Sequence, residues 1–196
     1  YMALDTIAIR NLEILKNSAE GTKYGSLLWL LDKTKTGMGA RKLASLLTRP
    51  LDDKAEIEKR LDAVEELFQS SLVRMGLSDM LGGVRDVERL TGRISNGNLQ
   101  PRDCIALSSS LAVVPSLKFQ LAGFSSALLT EIAGNLVDTK SVCDLLDQAI
   151  DPNATTRKEG GYIKKGYNAQ LDELREIKAG GKSLLAELEA REREKT

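Results

Sequence analysis

The side chains able to do chemistry in this sequence are few, and they form no recognisable catalytic arrangement. The 196 residues contain no histidine, the commonest general base and metal ligand. The two cysteines, Cys104 and Cys143, stand in apolar helical patterns, which favours free buried thiols over a zinc site, disulfide or reactive centre. No serine has an identifiable base partner. The sequence therefore predicts no catalytic residue, cofactor site or metal site.

One short segment resembles a nucleotide-binding motif. Gly181-Lys182-Ser183 matches the end of the phosphate-binding pattern GxxxxGK[ST]. The pattern needs glycine at position 176, where the chain has Glu176, and it needs a strand before the loop. Leucines on both sides of the segment share one helical phase only if a helix runs through it. We therefore interpret the segment as a weak point inside a long helix.

Acidic pairs and basic runs fall where solvated helix faces are predicted. The acidic pairs are Asp52 with Asp53, Glu65 with Glu66, and Glu187 with Glu189. The sequence indicates no apolar pocket around these pairs that would shift the pKa of one carboxylate, so a catalytic pair is disfavoured.

Two sets of basic residues could contact partners. Arg191, Arg193 and Lys195 alternate with glutamates, which favours a salt-bridged helix end and leaves DNA-phosphate contacts as the alternative. A second set recurs every four residues and predicts ion pairs between helices: Arg85, Arg89 and Arg93.

Composition favours helices packed on helices. Hydrophobic residues make up 42% of the chain and aromatic residues only 4%, so the core must be mostly aliphatic. Basic and acidic residues number 28 each, which removes a global basic footprint for nucleic acid but not a local patch. The longest weakly polar stretch, Cys104 to Leu117, is too short to cross a bilayer and contains Pro115. No signal peptide is recognisable.

The element that organises the chain is a long helix predicted from Asn168 to Thr196. Asn168 is a favoured N-cap, and the helix would be roughly 40 Å long at about 1.5 Å per residue. Gly180 and Gly181 lie inside it, either as a hinge or as a place where another helix packs closely; we favour close packing. The apolar stripe consists of Leu171, Leu174, Ile177, Leu184 and Leu188.

The preceding residues predict helices almost throughout. In the helix from Lys54 to Gln69, the stripe predicted to be buried is Ile57, Leu61, Val64 and Leu67 with Phe68. Another helix is predicted from Pro101 to about Leu121, with a kink at Pro115. The only plausible extended piece is Thr155 to Tyr162. The predicted fold is all-α: an irregular helical core over 1–155, then over 156–196 a short extended segment, at most a very short β-hairpin, and a projecting helix.

Five segments, in order, resemble the MutS family of bacterial DNA mismatch-recognition proteins. They are Leu4 to Glu13 (LD-x-x-T-x-RNLE, with Ala8 in place of the usual Thr), Ser26 to Leu43 (LLD-x-T-x-T-x-MG-x-R-x-L), Asp86 to Arg93 (D-x-ER-x-x-x-R), Pro101-Arg102-Asp103, and Gly160 to Arg175 with Arg191 to Thr196 (EGG-x-I-x-x-GY-x-x-x-LDELR and EREKT). Together they cover nearly the whole chain, and the departures fall at packing positions.

The resemblance implies that the chain is the core domain and first lever arm of a dimeric, ATP-dependent mismatch sensor. It implies three partners: mismatched double-stranded DNA, a second copy of the protein, and a MutL-type repair protein. ATP and magnesium would bind an ATPase domain outside this chain, and the mismatch wedge and DNA clamp would also lie outside it. The implied role is mechanical, coupling the ATPase to the clamp in mismatch repair, in the bacterial cytoplasm and associated with the nucleoid.

Two alternatives remain at this point. The chain could be a helical scaffold or interaction module of a MutS paralogue that does not act in repair. It could also be an enzyme with its site on this fragment, although the lack of histidine and of any convergent polar cluster argues against that. Because the sequence starts Tyr1-Met2, we expect a piece of a longer protein.

Overall fold

The computed structural model describes residues 1–154 and 160–194, with side chains described as far as residue 181. These residues form eleven α-helices and no β-strand, which confirms the predicted all-α fold class. In chain order the helices are α1 (Thr6–Asn11), α2 (Leu27–Leu31), α3 (Gly37–Thr48), α4 (Lys54–Gln69), α5 (Ser71–Gly82), α6 (Val87–Ser95), α7 (Pro101–Leu111), α8 (Val114–Leu121), α9 (Ala127–Asn135), α10 (Lys140–Ala149) and α11 (Ala169–Glu194).

Short polar side chains begin several of these helices, and Asn168 does so at the predicted position. Asp5, Ser26 and Thr36 each accept the backbone N–H three residues further on, at 2.6, 3.2 and 3.0 Å. Asp53 and Asn168 do the same for α4 and α11, both at 3.0 Å. Each bond satisfies an N–H that has no partner within the first turn of the helix. These boundaries depend on neighbouring residues alone, so they could be predicted from the sequence.

A buried apolar cluster joins α4, α5, α8 and α9. Helix α4 packs on α5 and α9, α5 packs on α8, and α8 packs on α9. The buried members are Ala63, Leu77, Leu121, Leu129 and Ala133. Partly buried residues such as Val73 and Phe124 pack around them. We refer to these four helices as the bundle.

A second group of helices packs through a mixture of apolar and polar contacts. Helix α7 lies between α6 and α10. Ser108 is buried and donates to the Asp147 carboxylate at 2.7 Å, while the buried Ser110 accepts the N–H of Arg85 at 2.9 Å. Cys143 is buried and Cys104 half-buried, and both thiols are free, as predicted. Burial raises the pKa of the Cys104 thiol.

The predicted buried face of α4 is wrong except at Leu67, which is partly buried and packs against the bundle core. Leu61, Val64 and Phe68 are 59%, 62% and 75% exposed, and Ile57 is also exposed. The face that packs into the bundle instead carries the small Ala63. A small residue lets the axes of α4 and α9 approach closely, and longer polar side chains surround the contact. The sequence shows that α4 has two unlike faces but does not show which face meets a neighbour.

One of those polar side chains, Glu66, holds the start of α9. Its carboxylate accepts the N–H of Ser125 at 2.7 Å, the hydroxyl of Ser125 at 2.9 Å and the N–H of Ser126 at 2.9 Å. The two backbone bonds are the main cause of a pKa for Glu66 lowered from 4.5 to about 2. A glutamate from one helix thus satisfies donors at the N-terminus of another.

The helix predicted from Pro101 to Leu121 is interrupted, as expected from Pro115. Helix α7 ends at Leu111 and α8 begins at Val114, so the break lies just before the proline. Proline has no N–H to donate to the carbonyl four residues earlier, which here belongs to Leu111. The buried Thr139 hydroxyl donates to that carbonyl at 2.9 Å. The polar group freed by Pro115 is therefore satisfied by a residue at the start of α10.

The same segment, Pro101–Leu121, is 21 residues long with a mean hydropathy of 1.4, enough by length and composition to cross a membrane. It carries Asp103, whose buried carboxylate pairs with Arg93 at 2.7 Å. It also carries Ser108, which is bonded to α10. Polar contacts of this kind are typical of a helix packed inside a helical domain.

The extended segment is described in part. Ile150 and Ile163 form an isolated antiparallel bridge, and residues 155–159 lie outside the described part of the chain. The predicted boundary between 155 and 156 falls in that gap, so the division into two domains stays a prediction.

Helix α11 has 26 residues, about 39 Å at 1.5 Å per residue. Leu174 and Ile177 are 63% and 64% exposed, so this part of its stripe does not lie on the core.

Candidate functional site

The base of α11 is fastened to the end of α10 through backbone hydrogen bonds. The N–H of Asp151 donates to the Tyr162 carbonyl at 2.9 Å, and the N–H of Lys164 donates to the Ala149 carbonyl at 2.8 Å. These bonds flank the bridge between Ile150 and Ile163. The Lys164 ammonium adds a bond to a carbonyl of α10, that of Asp147. Two backbone hydrogen bonds of the kind found between antiparallel strands therefore join the chain entering α11 to the end of α10.

Two side chains of α11 extend this attachment into the helix. Arg175 donates to the Ile163 carbonyl at 2.9 Å and to the Asp172 carboxylate at 3.1 Å. The same carboxylate accepts the N–H of Gly166 at 2.6 Å. Because Arg175 and Asp172 are one turn apart, both bonds act on the first turns of α11. The first turns of α11 are thus hydrogen-bonded to the segment that forms the bridge. We call residues 149–151 and 162–175 the lever base.

A second polar joint connects α3 with the start of α6. The Arg41 guanidinium donates to both oxygens of Asp86, at 2.7 and 2.8 Å, and to Glu88 at 2.6 Å. Asp86 also caps α6 by accepting the N–H of Arg89 at 3.3 Å. The guanidinium bonds are the main cause of an Asp86 pKa lowered from 3.8 to about 2, and they raise the pKa of Arg41. Bidentate pairing of this kind fixes both distance and orientation.

Two glycines of the MutS-like segment allow this joint to close. A Cβ atom on Gly37 would lie 2.8 Å from the Asp86 carboxylate, closer than real Cβ contacts. A Cβ atom on Gly39 would lie 3.1 Å from the hydroxyl of Thr36, which caps α3. Glycine at these positions therefore leaves room for the carboxylate and the cap.

The prediction of ion pairs between helices is confirmed for Arg93, whereas Arg89 pairs within its own helix. Arg93 on α6 reaches Asp103 on α7 at 2.7 Å, and Arg89 reaches Asp86 at 3.4 Å. Burial opposes ionisation of Asp103, but bonds from the Gln100 N–H and from Arg93 hold its pKa below the ordinary value. No ion pair of Arg85 is described among residues 1–154 and 160–181; its backbone N–H bonds to Ser110.

The remaining sequence-predicted residues lie on α11. The helix is continuous through Glu176 and Gly181-Lys182-Ser183, which confirms that this segment is no strand-to-helix phosphate loop. A Cβ atom on Gly180 or Gly181 would meet nothing within 4 Å in the described part of the chain. The close packing that we favoured for this pair therefore has no neighbour there, and the hinge stays a prediction.

The residues predicted for phosphate contact fall at the limit of the description. Arg191 and Arg193 lie within the backbone of α11, and their side chains fall outside the described range. Lys195 lies outside the described residues altogether. Their role as DNA-phosphate contacts therefore stays a prediction.

Sequence reasoning missed Arg175 and Arg41 as structural joints. The spacing of Asp172 and Arg175 is that of neighbours on one helix face, which could have indicated their pairing. The side-chain partners of Arg41, on α3, lie far from it in the sequence. Its partner Asp86 stands 45 residues away, and no local pattern connects the two.

Comparison with known proteins gives one family. Residues 7–195 match the family model described as MutS domain III. Proteins named DNA mismatch repair protein MutS are similar over the whole chain: 48% identical in Caldanaerobacter subterraneus subsp. tengcongensis, 44% in Pelotomaculum thermopropionicum and 42% in Oceanobacillus iheyensis. The chain covers 23% of each of these three proteins. It therefore spans less than a quarter of the length of these relatives. The chain belongs to the MutS family of DNA mismatch repair proteins and corresponds to MutS domain III.

Proposed function

We propose that this domain is the mechanical coupling element of a mismatch-repair MutS protein. It would transmit the nucleotide state of an ATPase domain to a DNA clamp, with α11 as the lever arm. ATP and magnesium would bind the ATPase domain, and mismatched double-stranded DNA would bind elsewhere in the protein. A homodimeric assembly, a MutL-type partner and a cytoplasmic, nucleoid-associated location belong to the same proposal. The names and identities of the relatives support repair over a paralogue scaffold.

The lever base is the observation that carries this proposal. Arg175 and Asp172 join the first turns of α11 to the chain that is bonded to α10. Allosteric coupling requires an element whose arrangement is biased from both ends. A helix that was loosely tethered could not pass a rotation on to the core. The hydrogen-bonded base supports this role because its donors and acceptors come from both α11 and the segment bonded to α10.

The test replaces domain III of the 48% identical Caldanaerobacter relative with this chain. Coupling is measured as the ratio of mismatched-DNA dissociation constants with and without ATP. Typical allosteric coupling corresponds to a factor of about 5 to 150. We expect Arg175→Ala to bring this ratio close to one while each ligand still binds. Arg85→Ala, an exposed arginine outside the lever base, is the control. A ratio unchanged in Arg175→Ala would contradict the proposal.

We further propose that the end of α11 contacts DNA phosphates through Arg191, Arg193 and Lys195. Each phosphate contact adds about 0.9 to the slope of log affinity against log salt. Fluorescence anisotropy with paired and mismatched duplexes should show equal, salt-sensitive binding. Replacing Arg191 and Arg193 with alanine should lower the slope by about 2 for both duplexes. The same substitution of Lys16 and Lys42 is the control. No binding at low salt, or mismatch preference by this chain alone, would contradict the proposal.

A further inference from the structure

An apolar groove with a basic rim lies between the bundle and the loop that joins α2 to α3. Its volume is about 480 Å³. The floor contains the buried Leu77 and Leu121, and Ile132, 41% exposed, stands at its edge. The loop from Lys33 to Lys35 also lines it. The groove is thus formed where two helix groups meet without filling the space between them.

The walls of the groove have helical spacing. Helix α5 contributes residues 74, 77, 78 and 81, α8 contributes 117 and 121, and α9 with its C-cap contributes 132 and 136. Residues three or four apart form the ridges between which the ridges of another helix pack. A sheet edge, which would favour an extended peptide, is absent from the described residues. The groove is therefore shaped for a helix that presents an apolar stripe.

The rim is cationic. Lys33 and Lys35 are exposed, and no ion pair of either is described among residues 1–154 and 160–181. Arg74 donates to the Leu67 and Phe68 carbonyls at 2.9 and 2.8 Å, so its charge is not balanced by a carboxylate there. Asp79 is the carboxylate lining this edge. Three cations facing one carboxylate favour an acidic partner.

The two lysines are held in place before any partner arrives. Thr34, between them, donates its N–H and its hydroxyl to the Asp32 carboxylate at 3.1 and 2.6 Å. Asp32 is fixed in turn by an ion pair with Lys23, and these bonds lower its pKa from 3.8 to about 2. A fixed loop loses little conformational entropy when it binds. The backbone between the two lysines is therefore ordered before binding.

We propose that this groove is a docking site for an amphipathic helix of a partner protein, with an apolar stripe in the groove and acidic residues facing Lys33, Lys35 and Arg74. The apolar face would cover Leu77, Leu121 and Ile132. The acidic flank would set the orientation of the helix and speed its association. This site is separate from the lever base and does not depend on the proposed coupling.

The test uses a fluorescein-labelled, 16-residue helical peptide with leucine at heptad positions a and d and glutamate on both flanks. A matched peptide carries lysine in place of every glutamate. Anisotropy should show saturable one-to-one binding of the acidic peptide, weakening with salt, and at least tenfold weaker binding of the basic peptide. Equal binding of the two peptides, or no saturable binding of the acidic one, would overturn the proposal.

Variants locate the binding. The pair Lys33→Glu and Lys35→Glu should weaken binding at least tenfold, and so should Ile132→Gln. The charge-matched pair Lys16→Glu and Lys42→Glu, and Phe119→Gln, an 80% exposed apolar residue outside the groove, should change it less than twofold. An equal loss in the control variants would overturn the proposal.

Two further checks keep the result decisive. Circular dichroism melting establishes that each variant is folded. If the charge reversal unfolds the chain, the pair Lys33→Met and Lys35→Met replaces it in the binding measurement. Dodecanoate is tested as a competitor and as a ligand alone. Binding of dodecanoate without binding of the acidic peptide would assign the groove to a lipid-like anion and overturn the proposal.

Discussion

At the scale of single residues, carboxylates act as connectors between distant segments. Glu66 on α4 accepts three hydrogen bonds from Ser125 and Ser126 at the start of α9. Asp86 accepts both arms of Arg41 and also begins α6. Glu66 satisfies three donors of one distant segment, and Asp86 satisfies donors from two parts of the chain, so the loss of either carboxylate leaves several donors unpaired.

Glu66→Gln should lower the melting temperature at neutral pH by about 2–4 °C, because an amide keeps one acceptor oxygen but loses the charge. The folded-state pKa of Glu66, about 2, lies below its ordinary 4.5, so its contribution is present above pH 4.5 and is lost as pH falls towards 2. The melting difference from the parent should disappear over that range. Glu65→Gln is the control, and a difference that persists at pH 2 would contradict this assignment.

A pair of glycine substitutions separates close packing from helix propensity. Gly92→Ala, inside α6 with nothing within 4 Å of the new Cβ, should stabilise the fold by up to about 1 kcal/mol. Gly37→Ala should destabilise it, because the Cβ atom would lie 2.8 Å from a carboxylate already held by Arg41. Urea unfolding measures both. Stabilisation by Gly37→Ala would show that Asp86 can move without cost.

At the scale of elements, the carbonyl left without a donor at the break between α7 and α8 accepts a hydrogen bond from the start of α10. Pro115 cannot donate to the Leu111 carbonyl, and the hydroxyl of Thr139 occupies that acceptor. The start of α10 is thereby tied to the break. Helix α10 in turn holds the bridge from which α11 departs. Helix α10 is therefore bonded to the break at its start and to the lever base at its end.

Thr139→Val should cost about 1–3 kcal/mol, because it leaves a buried carbonyl without a donor. In the Pro115→Ala background the N–H of residue 115 can donate to the Leu111 carbonyl, so the same substitution should cost about 1 kcal/mol less. Urea unfolding of the four proteins gives the coupling. Thr91→Val, on an exposed face of α6, should stay within about 0.5 kcal/mol. Strictly additive costs would contradict this account of the break.

At the scale of the whole molecule, the helices form groups joined by polar contacts. The chain exposes 14044 Å², compared with about 9,000 Å² for a compact monomer of its mass. The excess agrees with exposed apolar stripes on α4 and on the described part of α11. Within this arrangement, the Arg41 joint ties α3 to α6 and α2 packs on α3, while the bundle has its own apolar core.

Arg41→Ala should therefore loosen α2 and α3 without loosening the bundle. Hydrogen exchange is expected to speed up in α3, which loses the bonds to Asp86 and Glu88, and in α2, which packs on α3. Exchange in the buried helices of the bundle should stay unchanged. Lys42→Ala, an exposed neighbour, is the control. Equal acceleration in both groups would mean that the molecule unfolds as a single cooperative unit.

The sequence by itself determined the all-α fold, most helix starts, the interruption near Pro115 and the resemblance to MutS. These depend on hydrophobic period, on capping residues within three positions of a helix start, and on proline's missing N–H. Such interactions act between neighbours along the chain, so they can be recognised without knowing what lies across from them.

Only the tertiary structure decided which face of α4 is buried, where Glu66 and Arg41 find their partners, and how the lever base is fastened. An apolar stripe on α4 shows only that its faces differ. Helix α4 packs into the bundle through Ala63, and Leu61 and Val64 stay exposed. Partners such as Asp86 for Arg41 are 45 residues apart, and only the crossing of helices brings them within hydrogen-bond distance.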